Sequence, residues 1–405
     1  MSETHLQDLQ SILRSQLGDN TIVESYITKD LLPPGENYGS KLVSVHAVIK
    51  RSKNEKPEDL YLVAKLPPLT EFQRDMFDSP FTFRKEIFMY AEILPFYRKL
   101  EINSGVIEQE ALDISPKYYG SRLSMNPDID FDDDAAILLE NLKAKGFYCT
   151  ERRLGCDLAH AKLAVRAIAR FHALGMATKE KDPDFFETLK ARSKCLEMKN
   201  PDQWEKFLGQ RIKNIEDDPE IAKYLESCVK TVRATDQSAW TTPPDEPWST
   251  IIHSDFWANN ILFHKSAAGE PDDVKFIDYQ NYLFLSPARE LAFFIGSGLN
   301  HETAGSIDEL LDLYYDTLIE RLKILDCDVE PYSRESFDEV LKVDSRVEFT
   351  HCLFMVKILT MDVNADDPDV HDVKDLLERG DCGEAYRSRL RDFVNSFHER
   401  GWLLQ

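Results

Sequence analysis

The sequence lacks the patterns that mark secreted, membrane-anchored or disulfide-bonded proteins. Its seven cysteines include no Cys-x-x-Cys pair and show no regular spacing, which fits reduced thiols in a cytosolic protein. The first residues contain no basic region followed by an apolar one, so we expect no signal peptide. No apolar run approaches the roughly 20 residues that a membrane helix needs. One of the longest, residues 291–299, contains two glycines. We therefore expect a cytoplasmic protein without a membrane partner.

Basic residues are also scarce. Lys and Arg number 49 against 72 Asp and Glu, so the formal net charge is -23. Such a surface repels nucleic-acid backbones and anionic lipid heads, which argues against both as partners. The acidic balance would attract a cationic substrate, although solubility alone is the commoner reason for it. A chain of 405 residues, 42% of them hydrophobic, is long enough for two lobes with separate cores.

The order of periodic segments predicts an α+β fold with two lobes. After a short amphipathic helix at residues 6–17, strand patterns cover residues 21–31, 41–50, 60–66, 115–123 and 135–139. One helix, residues 81–94, interrupts them, and we expect Pro95 to end it. Beyond residue 140 long helical patterns dominate, apart from a β-rich insert at residues 249–279. The prediction is a small antiparallel-sheet lobe, residues 1–140, and a larger, mainly helical lobe, residues 141–405.

The most specific pattern lies in the β-rich insert. His253 is followed two residues later by Asp255, and Asn260 stands five residues past that acid, just before an apolar strand. A second apolar strand ends in Asp278, 23 positions after Asp255. Either acid alone would be typical of a turn at a strand end. The combination is much more specific than its parts.

Phosphoryl transfer requires this set of side chains. One carboxylate orients the acceptor hydroxyl and takes its proton, which is the role we predict for Asp255. An amide oxygen and a second carboxylate hold Mg²⁺ on the phosphates, and we predict that role for Asn260 and Asp278. We expect His253 to support the loop by hydrogen bonding and not to act as the base.

The catalytic segment resembles that of the aminoglycoside and choline kinase superfamily. Together with weaker motifs it resembles more closely the ecdysteroid kinase-like (CHK kinase-like) family, over nearly the whole chain. The weaker motifs are residues 36–40 (ENYGS), 63–65 (VAK), 83–86 (FRKE), 94–95 (LP), 138–142 (LLENL), 171–173 (FHA) and 286–287 (SP). The resemblance implies a two-lobed protein-kinase-like fold, with ATP and Mg²⁺ as cofactors.

On the nucleotide side, the resemblance implies that Lys65 grips the ATP phosphates and that Glu86 pairs with it. Lys65 ends an apolar strand and Glu86 lies on the following helix, which suits that pairing. The loop over the phosphates would be residues 35–40, where backbone amides near Gly39 and Ser40 could reach phosphate oxygens. A plain hairpin turn explains this loop equally well.

The adenine base is expected near the end of the strand at residues 135–139. Kinase-like folds read adenine through backbone groups at this point, so Glu140 and Leu142 are predicted by location and not by side-chain chemistry. The acceptor side is rich in aromatic residues, most of which we expect in the core. They are Trp257, Tyr279, Tyr282, Phe284, Phe293 and Phe294.

Three positions depart from the family pattern. Ser254 stands where Gly is usual, Phe256 replaces a typical Leu, and Glu290 stands where an Asp usually braces the catalytic loop. We still expect Glu290 to support that loop, since the longer carboxylate could reach it. The ligands expected for the phosphates and metal are all present, which argues against a pseudokinase that serves as a binding module.

The acceptor remains open at this stage. The resemblance implies a small-molecule alcohol, with a steroid such as an ecdysteroid as the first candidate. Detoxification of other hydroxylated compounds is the second, and choline, ethanolamine or an aminoglycoside is the third. A protein kinase is disfavoured because the chain has neither a Gly-rich phosphate loop nor an Ala-Pro-Glu segment after Asp278. The sequence identifies no protein partner.

Overall fold

Five antiparallel strands form the sheet of the first of two compact units. The structure is a computed structural model that describes residues 6–31, 39–196, 201–360 and 383–405. Of these, the residues up to Pro95 and Ser115–Tyr148 form what we call the sheet unit, and the rest form the helical unit. The strands are β1 (Ile22–Asp30), β2 (Lys41–Lys50), β3 (Glu58–Leu66), β4 (Tyr118–Arg122) and β5 (Ala136–Glu140), in the order β1-β2-β3-β5-β4.

Alternation along the strands builds the core of the sheet unit. In β2 every second residue is buried, beginning at Val43 and ending at Ile49. Helix α1 (Leu9–Leu17) covers this face with Leu9, Ile12 and Leu13. Gly120 in β4 permits the close approach, since a Cβ there would lie 2.5 Å from the carbonyl oxygen of Ile12.

The chain between β3 and β4 is helical for longer than predicted. It forms α2 (Glu71–Met76), α3 (Ser79–Phe88) and α4 (Leu94–Asn103), and a π-helical turn, Met89–Ile93, joins the last two. The prediction that Pro95 ends the helix was wrong. Pro95 lies in the first turn of α4, where a missing N–H is tolerated, and the widened turn before it leads one helix into the next.

Helices make up most of the helical unit. They are α5 (Leu158–Lys181), α6 (Pro183–Arg192), α7 (Pro201–Glu216), α8 (Leu225–Arg233), α9 (Pro287–Gly298), α10 (Ile307–Ile324), α11 (Arg334–Thr360) and α12 (Gly383–Glu399). Its short strands are β7 (Thr250–Ile252), β8 (Ile261–Lys265), β9 (Pro271–Phe276) and β10 (Leu283–Leu285); a further one, β6 (Tyr148–Cys149), lies where the two units divide. β8 and β9 form an antiparallel hairpin, and β7 pairs with β10.

The small antiparallel sheet and the larger helical part confirm the predicted α+β fold class. The division after residue 140 stays a prediction.

Two glycines allow the close packing that the helical unit needs. A Cβ on Gly175 of α5 would lie 2.2 Å from the hydroxyl of Thr250 in β7, and one on Gly296 of α9 would lie 2.6 Å from the sulfur of Cys352 in α11. Helix α9 is thus enclosed by its neighbours. Among the described helices, none combines the length and the apolar character needed to cross a membrane.

Candidate active site

The hairpin of β8 and β9 brings the two ends of the predicted catalytic segment together. A 3₁₀ turn, Ala258–Asn260, leads from the loop that carries Asp255 into β8. In the antiparallel register Ile261 lies opposite Phe276, and the N–H of Ile277 donates to the carbonyl of Asn260 at 3.0 Å. Asp278 follows directly after Ile277. The 23-residue spacing in the sequence therefore becomes a local cluster in the structure.

Asn260 holds the loop that bears Asp255 by two hydrogen bonds, which we call the clasp. Its Nδ2 donates to the main-chain oxygen of Asp255 at 2.9 Å and to Oδ2 of the same residue at 3.0 Å. Because both amide hydrogens are used in this way, Oδ1 of Asn260 is the atom that remains for a cation. An amide oxygen with the carboxylate of Asp278 is the hard, oxygen-only donor set that Mg²⁺ prefers, completed by water and substrate phosphates. The residues present therefore fit the ion.

The carboxyl of Asp255 is less acidic than an ordinary aspartate. Burial raises its pKa, and the negative charge of Asp278 raises it further. Attraction by His253 and His351 and the hydrogen bond from Asn260 lower the pKa in part. A group with such a perturbed pKa beside a second carboxylate is typical of a functional site.

His253 is fully engaged by the main chain. Its Nδ1 accepts from the N–H of Asp255 at 3.3 Å, and its Nε2 donates to the carbonyl of Ile277 at 2.9 Å. The side chain is completely buried. Both ring nitrogens are therefore occupied, which leaves neither of them available to take a proton from a substrate.

Glu290 braces the same loop from α9. Its Oε2 accepts from the N–H of His253 at 2.9 Å and its Oε1 accepts from the N–H of Ser254 at 2.6 Å. Ser254 has a φ of 67°, a left-handed conformation that Gly adopts more readily. Where the family pattern has Gly, this chain therefore has a Ser in a strained backbone conformation. The longer Glu side chain reaches both amides. Its carboxylate is thus well placed to hold the loop's main chain.

A third donor to Glu290 was missed from the sequence. Nε2 of His172, on α5, lies 2.8 Å from Oε2 of Glu290, and Nδ1 of His172 lies 2.7 Å from the hydroxyl of Tyr314 on α10. Burial raises the pKa of Tyr314 well above its usual range, so the phenol keeps its proton and donates to Nδ1. His172 belongs to the FHA motif, which signalled the family but not this contact.

In the sheet unit, Lys65 and Glu86 form a buried ion pair. Nζ of Lys65, at the end of β3, lies 2.5 Å from Oε2 of Glu86 on α3. Their side chains are 5% and 1% exposed, so neither charge faces bulk water. Gly39 and Ser40 are buried just before β2. The preceding residues of the predicted phosphate loop, 35–38, lie outside the described part of the chain.

The predicted adenine-binding segment is a tight turn after β5. The N–H of Asn141 donates to the carbonyl of Tyr61 at 3.1 Å, which ties the turn to β3. Glu140 forms an ion pair with Lys145, and Leu142 is buried in a 3₁₀ turn, Leu142–Lys145. These contacts keep the main chain at residues 140–142 in a fixed position.

The residue next to Glu290 supports a second network that the sequence did not predict. Nε of Arg289 pairs with Oε1 of Glu348 on α11, its Nη1 donates to the carbonyl of Ala239 at 2.9 Å, and its guanidinium lies 4.3 Å from the ring centroid of Trp240. His351, one helical turn after Glu348, contacts the same carboxylate. The only signal of this network in the sequence is that Glu348 and His351 lie three residues apart on a predicted helix.

Near this network, Asp344 is a buried acid with a strongly altered pKa. Burial raises its pKa to about 6, although the charge of Arg289 opposes the shift. Its Oδ2 is buried without a hydrogen-bond partner in the described part of the chain. Four of the six aromatic residues expected near the acceptor lie in the core, since Tyr279, Tyr282, Phe293 and Phe294 are buried.

Several known proteins are similar to this chain. A Plasmodium vivax ethanolamine kinase is 11% identical over 95% of this chain and 85% of its own, with a TM-score of 0.36. A spectinomycin phosphotransferase bound to ADP and spectinomycin is 14% identical over 81% and 93%, with a TM-score of 0.37. A microcompartment-associated aminopropanol kinase is 11% identical over 92% and 94%, with a TM-score of 0.41.

No curated protein matches the sequence significantly. The model of the ecdysteroid kinase-like family, however, matches residues 34–327, which is well over half of the chain. The matched range contains Lys65, Glu86 and the whole catalytic segment. The chain therefore belongs to the ecdysteroid kinase-like family, a family of small-molecule kinases.

Proposed function

We propose that this protein uses ATP and Mg²⁺ to phosphorylate a hydroxyl group of a small hydrophobic alcohol, with an ecdysteroid as the first candidate. The observation that carries the proposal is the clasp between Asn260 and Asp255, next to Asp278, on a loop whose amides Glu290 binds. Positioned carboxylates on a rigid loop are what phosphoryl transfer requires, because most of its catalysis is orientation and charge neutralisation.

Each residue of the helical unit has a distinct role in this proposal. Asp255 orients the acceptor hydroxyl and takes its proton, and its raised pKa makes it a better base than an ordinary aspartate. Asn260 and Asp278 hold Mg²⁺, which neutralises charge on the ATP phosphates when it is bound. His253 and Glu290 keep the loop in place and do not exchange protons with the substrate.

In the sheet unit, the proposal assigns the nucleotide to residues around Lys65. Lys65 binds the ATP phosphates, and Glu86 holds its ammonium group at the end of β3. Backbone amides at Gly39 and Ser40 contact the phosphates, and the fixed main chain at Glu140 and Leu142 contacts the adenine. Residues 1–140 would thus supply the nucleotide-binding sheet and helix, and residues 141–405 the catalytic loop and the acceptor-binding helices. We further propose a cytoplasmic location, since the six described cysteines form no disulfide.

A thermal-shift titration with Mg·ATP tests the nucleotide site without knowledge of the acceptor. A ligand that binds only the native state stabilises it by roughly 2.7 kcal/mol at a hundred times its dissociation constant. We expect a Mg²⁺-dependent rise in Tm for the parent protein and a much smaller one for Asp278→Ala. An absent shift at saturating Mg·ATP would contradict the proposal and favour a pseudokinase that acts as a binding module.

A screen of alcohols then identifies the acceptor class. The parent protein would be incubated with Mg·ATP and ecdysone, choline or kanamycin, and phosphorylated products would be detected by mass spectrometry. Phosphorylation of ecdysone supports the hydrophobic-alcohol proposal. Phosphorylation of choline or kanamycin alone would replace it with an amino-alcohol or aminoglycoside kinase.

A further inference from the structure

The side chain of His351 is held in one orientation on α11. Its Nδ1 lies 3.0 Å from Oε2 of Glu348. One face of its ring stacks on Phe293, with centroids 4.2 Å apart and an interplanar angle of 11°. Trp240 stands perpendicular to the ring at 5.2 Å. A side chain fixed on three sides has lost most of its rotamer freedom before any ligand arrives.

Glu348 determines which ring nitrogen carries the proton. Burial opposes ionisation of this acid, but the charge of Arg289 and the hydrogen bond from His351 lower the pKa of Glu348 below its usual value. Glu348 is therefore a carboxylate, which only accepts hydrogen bonds. Consequently Nδ1 of His351 carries a proton, and Nε2 is the nitrogen left for another partner.

The opposite nitrogen is available to a ligand. The side chain of His351 is 19% exposed, whereas that of Glu348 is 2% exposed. Within the described ranges, Nε2 of His351 has no hydrogen-bond partner. A neutral ring accepts a hydrogen bond at Nε2 from a hydroxyl, and a protonated ring donates one to an oxygen. The fold thus orients a polar atom that it does not itself use.

This nitrogen belongs to the neighbourhood of the catalytic loop. Phe293, on which His351 stacks, lies three residues after Glu290 on α9, so both side chains project from one side of that helix. Glu290 binds the amides of the loop that carries Asp255. The electrostatic influence of His351 on Asp255 supports the same placement.

We propose that Nε2 of His351 hydrogen-bonds the acceptor and, with the partly buried Trp240 as an aromatic wall, determines which alcohols are phosphorylated. The inference rests on the proposed kinase function. Since Asp255 takes the reacting hydroxyl, His351 binds a different oxygen of the same molecule. The substrate class is therefore a largely apolar compound that carries at least a second hydroxyl or carbonyl group.

Two substitutions at this position separate the role of Nε2 from that of the buried contact. His351→Asn places an amide near the position of Nδ1, so it keeps a partner for Glu348 but removes Nε2. His351→Gln extends an amide to the position of Nε2. With ecdysone as acceptor, we expect His351→Asn to raise KM about tenfold or more, as loss of one hydrogen bond would. His351→Gln should recover much of the loss.

Two controls report on effects that are only structural. The dissociation constant of Mg·ATP should not change in either variant, because the nucleotide does not contact His351 in this proposal. His301→Asn is the matched control, since Nδ1 of His301 also contacts an acid, Asp392, at an exposed position. It should leave KM for ecdysone unchanged.

The outcomes distinguish this inference from the proposed function. If His351→Asn has the parent's KM for ecdysone, the inference fails while the kinase function stands. If the parent binds Mg·ATP but phosphorylates none of ecdysone, choline and kanamycin, the proposed acceptor class and this inference fail together. If the parent does not bind Mg·ATP, the proposed function itself fails, and the inference with it.

Discussion

The two units hold their buried charges in different ways. In the sheet unit, Lys65 and Glu86 meet side chain to side chain, across a strand and a helix. In the helical unit, Glu290 binds two main-chain amides in addition to the side chain of His172. The first arrangement fixes the position of one ammonium group. The second fixes the backbone of the loop that carries Asp255.

This difference determines what a substitution can reach. Exchange of Lys65 or Glu86 alters a pair of side chains, and the strand beneath keeps its ladder of hydrogen bonds. Exchange of Glu290 removes the acceptors of two N–H groups of the loop. These N–H groups do not belong to a β-sheet ladder that could replace the lost hydrogen bonds. Helix α9 also carries Arg289, the residue directly before Glu290, and Arg289 pairs with Glu348. Two adjacent residues of one helix therefore support two separate parts of the proposed site.

The largest expected effect is on turnover, from Asp255→Asn. The amide keeps the size of the side chain but cannot take a proton, so kcat should fall by roughly 10²–10⁴-fold. Binding of Mg·ATP should change little, because the proposal assigns Asp255 to the acceptor. Steady-state kinetics and a thermal-shift titration measure the two quantities.

Asp272→Asn is the matched control for this substitution. Asp272 is an exposed acid on β9, on the same hairpin, and its contact is with His264. The kcat of Asp272→Asn should equal that of the parent protein. Parental turnover in Asp255→Asn would show that Asp255 is not the base.

The next effect concerns the ion pair of the sheet unit. Lys65→Met breaks this buried ion pair from one side, which should lower the free energy of unfolding by about 3–5 kcal/mol. The double variant Lys65→Met/Glu86→Leu removes both charges and should recover most of that stability, because well-packed apolar pairs often replace buried ion pairs at no cost. Neither variant should bind Mg·ATP as the parent does. Urea denaturation measures the stabilities.

The equivalent double variant of the helical unit should behave in the opposite way. His172→Phe/Glu290→Leu also removes both side chains, but the amides of residues 253 and 254 then lose their acceptors. Each orphaned buried amide costs about 1–3 kcal/mol, so stability should not recover relative to Glu290→Leu alone. If both double variants recover equally, the contrast between the two units does not hold.

The sequence predicts the parts of the site that are local along the chain. Asp255, Asn260 and Asp278 lie on one hairpin, so their spacing already contains their proximity. The fold class followed from strand and helix periodicity for the same reason. Pro95 shows the limit of such rules, because a widened helical turn next to a proline depends on packing and not on local preference.

Contacts between distant segments could not be predicted in this way. Arg289 and Glu348 are 59 positions apart, and nothing in either local sequence indicates that α9 and α11 pack together. The reach of Glu290 depends on the distance from α9 to the loop, which only the folded chain provides. The face of α11 that bears His351 could be identified only once α9 was in place beside it.

The stability of the parent protein should depend on pH through Asp344, and Asp344→Asn should remove this dependence. The change in the free energy of unfolding is similar in size to that expected for the ion pair. Burial raises the pKa of Asp344 from 3.8 to about 6, so between these values the folded state binds more protons than the unfolded state. Stability should therefore fall as pH rises through this window, by up to about 3 kcal/mol, and stay level above it. The variant has no such group and should lack this slope. Urea midpoints of parent and variant across the window test this, and parallel curves would contradict it.

The smallest expected effect comes from Ser254→Gly, in the loop that Glu290 braces. The left-handed conformation of Ser254 costs roughly 1–2 kcal/mol, and Gly avoids this cost while losing about 0.5–1 kcal/mol of unfolded-state freedom. The net gain in stability should be about 0.5–1 kcal/mol, with kcat unchanged because the N–H that donates to Glu290 is retained. Ser266→Gly, in the turn of the β8–β9 hairpin, is the control, because Ser266 is not left-handed and should only lose stability. If Ser254→Gly gains stability but loses turnover, the strain itself positions Asp255, and the brace by Glu290 is not sufficient to hold the loop.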